Sequence, residues 1–142
     1  MLLWKYCNYL EHKFMTPPLP PRNITLPQSF GYAIRGIWLV ARSERNFQIH
    51  LVASVVVVIL AIVVRCSAYD WAILCLAMGL VLVAESLNTA IETVVDLVSP
   101  EYHPLAGRAK DIAAGGVLLA ALTAVAVAGW ILLIPLYQWM QR

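Results

Sequence analysis

Charge is scarce in this chain. Charged residues make up 13% of its 142 positions and hydrophobic residues 61%, against roughly 25% and 45–50% in soluble domains. That balance excludes an ordinary soluble domain, and a mean hydropathy of +0.76 agrees. The length suits one small domain rather than two. Cysteine is equally sparse: Cys7, Cys66 and Cys75 include no close pair. A CxxC metal or redox centre is thereby excluded, a disulfide framework is not expected, and the three read as small packing residues. Runs of Lys and Arg are missing too, and a net charge of +2 offers no surface to nucleic acid. No GxxxxGK[ST] segment or kinase-type glycine loop occurs, so any nucleotide site must be built in another way.

What remains divides into a leader, residues 1–27, and a membrane domain, residues 28–142. The leader holds Pro17, Pro18, Pro20 and Pro21, a cluster that favours extended backbone and cannot lie inside a helix. No apolar stretch of signal-sequence length precedes these prolines, so a cleaved signal peptide is not expected. Over 28–45, Phe30, Ile34, Ile37, Trp38 and Ala41 recur at helical spacing, with Gln28, Arg35, Arg42 and Arg45 largely away from them. That pattern predicts an amphipathic helix on the membrane surface. Gly31 and Gly36 within it mark either a close neighbour or a local bend.

Three apolar segments follow, at 47–65, 71–99 and 104–137, each long enough to cross a bilayer. Arg65 to Asp70 reads as a polar turn. Pro100 disfavours helix in the residue before it, and Pro104 suits a first helical turn. Trp38, Trp71, Trp130 and Trp139 read as interfacial anchors, and His50 as a polar residue at the membrane boundary. The expected fold is an all-α membrane protein: one surface helix plus three transmembrane helices. Lys5, Lys13, Arg22, Arg35, Arg42 and Arg45 precede the first span, and Arg108 and Lys110 follow the second, whereas the first turn carries only Arg65. By the positive-inside rule the N-terminus is cytoplasmic.

The second span contains what an apolar helix should not. Asn88, Glu92 and Asp96 each fall within roughly 60° of Glu85 at about 100° per residue, and Glu85 follows fourteen uncharged positions from Trp71 to Ala84. Ionisable groups at membrane depth are retained mainly where they face a bundle interior or a polar cavity. Asp96 and Glu92 can also be read as the solvated end of a long helix. Glu85 and Glu92 lie roughly 10 Å apart along the axis, room for one to hold metal while the other reaches a substrate hydroxyl. With Arg108, Lys110 and Asp111 nearby, this set has the parts for phosphoryl transfer; an ion or proton pathway, as in a channel or transporter, uses the same carboxylates. The third span is rich in small residues from Ala113 to Gly129, which let helices approach closely. Three spans alone leave the polar face partly exposed to lipid, so burial by oligomerisation is expected.

The run AESLNTAIETVVDLVSPEYHPLAGRAKDIAAG (84–115) closely resembles the hallmark segment of the small bacterial integral-membrane diacylglycerol kinases, a family that includes undecaprenol kinases. The upstream SERNFQIH (43–50) is similar to the undecaprenol kinase branch. The resemblance covers about 30–133. It implies a homotrimer in the bacterial plasma membrane, with active sites between subunits. It also implies transfer of the ATP γ-phosphate to a lipid alcohol, diacylglycerol or undecaprenol, with Mg²⁺. Position by position, it implies Glu85 as catalytic base with Asn88 beside it, and Glu44 and Glu92 as metal ligands. Lys110 and Asp111 match a nucleotide-binding pair, joined by Tyr32, Tyr102 and His103. Glu85 and Ala114 fall at the lipid site. His103 is also open to a helix-capping role. The basic residue that the family often carries well ahead of Gly31 has no match: Thr25 stands roughly there, and Arg22 lies further off.

Overall fold

The computed structural model describes residues 25–101 and 103–141; the leader through residue 24 and Tyr102 lie outside the described residues. Among the described residues there are four helices: α1 (Leu26–Ser43), α2 (Arg45–Val63), α3 (Ala68–Val98) and α4 (Pro104–Met140). No strand occurs among the described residues, so the all-α expectation holds. Two compact units divide between Ile34 and Arg35, within α1. Each is treated by itself, and the second, from Arg35 onward, carries the three long helices.

α1 is amphipathic and has no buried residue. Its apolar stripe stands open, with Phe30, Ile34 and Trp38 each more than 60% exposed. A Cβ at Gly36 would meet nothing within 4 Å, so that glycine is not required by a close neighbour in the chain. Glu44 interrupts the helical path one residue before its expected end. Its backbone is extended (φ −98, ψ 115), and it serves as the N-cap position of α2 without a side-chain cap bond. The break is fastened from the far side: Gln48 Nε2 donates to the carbonyls of Ala41 (3.1 Å) and Arg42 (3.2 Å). Those are last-turn carbonyls that a helix leaves without internal partners.

α2, α3 and α4 are long and apolar enough to cross a membrane, as expected, but their ends move. α2 stops at Val63 because Arg65 enters the left-handed region at φ 57. The Cys66 and Arg65 N–H groups turn back to the carbonyls of Ala61 (3.0 Å) and Ile62 (3.1 Å), which closes the helix end in a Schellman arrangement. α3 begins at Ala68, three residues before the expected Trp71. The reason is a capping box: Ser67 Oγ accepts from the Asp70 N–H (3.3 Å), and Asp70 Oδ2 accepts from the Ser67 N–H (3.0 Å). Asp70 therefore starts the helix rather than ending a turn.

Short connections make α2, α3 and α4 antiparallel in sequence. Ala61, Leu74 and Leu132 form the buried core at the α2–α3 turn, with Trp71, Met78 and Cys66 packed against it. Trp71 is thus a packing residue as well as an end-of-span aromatic. Burial, and then the charge of Asp70, push the Cys66 thiol up from its ordinary value, in keeping with a packing role. α3 and α4 pair most extensively, and α2 packs mainly on α3. The inner face of α4 runs through Ala106, Lys110, Ala113, Val117, Ala120 and Ala124, all half-buried or buried, at the i, i+3/i+4 spacing of one stripe.

Candidate active site

The length of α3 sets the depth of its polar face. Thirty-one residues span roughly 46 Å at 1.5 Å each, whereas a hydrocarbon core is about 30 Å thick. About twenty residues cross that core. Counted from Ala68 they end near Asn88, so Glu85 and Asn88 reach the level of the far interface, and Glu92 and Asp96 continue beyond it.

Burial follows a different course from the one expected. Glu85 is 3% and Asn88 8% exposed in the single chain, so no second copy is needed to hide them from lipid. They lie on the helix that pairs most extensively with α4. Glu92 is half-buried and Asp96 exposed, which matches the reading of a helix end emerging into water. Asn88 Nδ2 donates to Glu92 Oε1 at 2.9 Å, fixing the amide one turn from that carboxylate. Asn88 Oδ1 is buried with no partner among the described residues. A buried acceptor left unpaired is costly, and here it sits one turn from the buried Glu85 carboxylate. Thr89 and Ser86 return their hydroxyls to the backbone carbonyls of Glu85 (3.1 Å) and Leu82 (2.8 Å) and so make no claim on the site.

An apolar cavity of about 150 Å³ lies on the core side of Glu85, lined by His50, Ser54, Val81, Ala121 and neighbours. His50, half-buried on α2, lines this cavity. At the opposite end, α3 and α4 open into a cleft of about 190 Å³ lined by Asp96, Ser99, Glu101, His103, Gly107 and Lys110. Lys110 Nζ meets Asp96 Oδ1 there at 2.6 Å, while Asp111, its expected companion, is exposed. His103 caps α4, its Nδ1 accepting the Leu105 N–H at 3.2 Å, and keeps its other ring nitrogen free of that bond. Asp96 was legible as a position on the polar face but not as a member of this cleft. The signal was available, since Asp96 and Lys110 stand equidistant from residue 103 at the turn between antiparallel helices.

The remaining expected residues are dispersed. Glu44 is half-buried, its Oε1 accepting from Ser43 Oγ at 3.1 Å. Tyr32 belongs to the first unit, Ala114 is exposed on α4, and Tyr102 lies outside the described residues. No three His, Cys, Asp or Glu side chains converge on a metal-sized point among the described residues. Mg²⁺ needs no such cage: one or two carboxylates suffice when phosphates and water fill the rest of its shell. The hard oxygen donors of Glu44 and Glu92 fit that demand.

Comparison with known proteins places this arrangement. Residues 31–132 match the prokaryotic diacylglycerol kinase family. The chain is 44% identical over 108 residues to the undecaprenol kinase of Bacillus subtilis, covering 76% of this chain and 87% of that one. It is 48% identical over 113 residues to a Synechocystis diacylglycerol kinase, covering 79% and 65% respectively. With the diacylglycerol kinase of Escherichia coli K12 the identity is 38% over 104 residues, 73% of this chain and 84% of that one. Three apolar helices, a buried carboxylate at interface depth and a match over most of their length agree: the chain belongs to the prokaryotic diacylglycerol kinase family of membrane lipid kinases.

Proposed function

We propose that this protein transfers the γ-phosphate of ATP to the hydroxyl of a membrane lipid, undecaprenol or diacylglycerol, at the cytoplasmic face of the plasma membrane. The observation that carries the proposal is the buried Glu85 carboxylate at interface depth, one turn from the Asn88 amide that holds Glu92. The hydroxyl enters beside Glu85 and donates its one hydrogen bond to that carboxylate. Its oxygen forms the new bond to the γ-phosphorus as the bond from that phosphorus to the β–γ bridging oxygen breaks. The proton passes to Glu85, and ADP leaves. Asn88, whose Nδ2 donates to Glu92 Oε1, keeps that carboxylate in place beside the base, and positioning contributes much of phosphoryl-transfer catalysis.

Lys110, with Asp111, Tyr102 and His103, supplies the nucleotide contacts; the family resemblance implies the same role for Tyr32. Glu44 and Glu92 would hold Mg²⁺ together with the nucleotide, and the metal would supply positive charge to offset that of the phosphates. The cytoplasmic placement rests on the basic residues before α2 and at the α3–α4 connection, the side where ATP is available. α1, with its open apolar stripe and its arginines, lies on that surface.

Purified protein incubated with γ-labelled ATP, Mg²⁺ and each lipid in turn tests the proposal. Label should pass to one of the two lipids and require Mg²⁺. Label in neither lipid would return the carboxylate face to the channel or transporter reading.

A further inference from the structure

We propose that Asp96 is a positioning residue for Lys110. It takes one N–H of the ammonium and holds the other two toward the cleft, where nucleotide phosphates bind. The inference rests on the phosphotransfer reading above and adds to it a residue and a mode of action.

The pair joins α3 to α4 at 2.6 Å, with Lys110 36% and Asp96 66% exposed. It is the only ion pair among the described residues. A pair so open to solvent contributes little to stability, and these two helices already share the most extensive packing in the chain. Holding them together is thus a poor account of it. The cleft gives a better one. Among its lining residues Lys110 is the only permanent cation, and it stands with Asp96 and Glu101. A triphosphate entering there meets two carboxylates and one ammonium, so the ammonium must already face it.

Lysine carries three donors on a flexible four-carbon stem. One donor anchored on Asp96 removes much of that freedom before the nucleotide arrives and leaves two donors for phosphate oxygens. Without the anchor, binding must order the stem as well.

The test uses the full chain in lipid or detergent, with MgATP titrated for activity and a fluorescent methylanthraniloyl-ATP, with Mg²⁺, titrated for binding. Asp96→Ala should raise KM for MgATP and Kd for the analogue about fivefold, a fraction of the ordering freedom of a lysine stem. It should leave kcat and the thermal midpoint nearly unchanged. Asp96→Glu should recover most of the loss, because a carboxylate on a longer stem can still reach the ammonium. In a Lys110→Ala background, Asp96→Ala should add nothing, since its effect passes through Lys110. A lowered thermal midpoint with unchanged KM and Kd would make the pair a clamp and overturn the proposal. So would an equal loss in the Lys110→Ala background. Failure of the kinase reading is separately visible as a wild type that phosphorylates neither lipid, and the analogue titration decides the role of Asp96 in that case too.

Discussion

Glu85 and Asn88 are the two polar side chains that the described chain buries, and the chemistry proposed for them differs in kind. Glu85 exchanges a proton, so Glu85→Gln keeps shape and burial while removing the base. General bases contribute typically 10²- to 10⁴-fold. The variant should therefore lose lipid phosphorylation by about that factor, with analogue binding and thermal midpoint close to wild type. A rate within a few-fold of wild type would remove Glu85 from the base role. The position of this pair was readable from spacing alone, because carboxylates recurring at helical period in an apolar segment must face something other than lipid. Their burial by one chain was not readable. It depends on how α3 and α4 pair, and so on the register of two helices. No single-helix pattern contains that register.

At the scale of elements, the joint between α1 and α2 decides where Glu44 points. Glu44 alone interrupts the helical path, and Gln48 bridges back over it to two carbonyls of α1. Gln48→Ala frees both carbonyls, and each such bond is typically a net 0.5–1.5 kcal/mol. The joint should loosen, the Mg²⁺ concentration for half-maximal activity should rise several-fold, and kcat at saturating Mg²⁺ should fall less. Gln48→Glu cannot donate and should behave like Gln48→Ala. An unchanged Mg²⁺ dependence in both variants would mean that Glu44 is placed by something else, or holds no metal. The three spans were legible from hydropathy and their order from the proline-marked turns. The ends were not, for local reasons. Ser67 and Asp70 form a capping box whose S-x-x-D spacing is visible in sequence but reads equally as a polar turn. Arg65 occupies a left-handed position where glycine is the usual signal. The break at Glu44 has no proline or glycine to announce it.

For the whole molecule, the separation of the two polar regions matters most. Asp96, the partner of Lys110, lies eleven residues beyond Glu85 on α3, roughly 16 Å along the axis. A γ-phosphate held close to Lys110 is therefore some three turns from the base of the same chain. Exposure of the polar face to lipid is one reason to expect assembly, and the burial of Glu85 and Asn88 removes it. Distance supplies a better reason: in the homotrimer that the family resemblance implies, the Lys110 end of one copy would serve the Glu85 of another. The outer surface of α4 has room for such an approach, because a Cβ at Gly115 or Gly116 would meet nothing within 4 Å, and small residues favour close helix packing in lipid. Co-expressing Glu85→Gln with Lys110→Ala tests the arrangement. Each variant alone should be inactive or nearly so. A mixed assembly can pair the intact Lys110 of one chain with the intact Glu85 of the other, and should regain a measurable fraction of wild-type activity. Mixed assembly shown by differential tags without any recovery would mean that each chain completes its own site, with the nucleotide extended along α3 from Lys110 to Glu85.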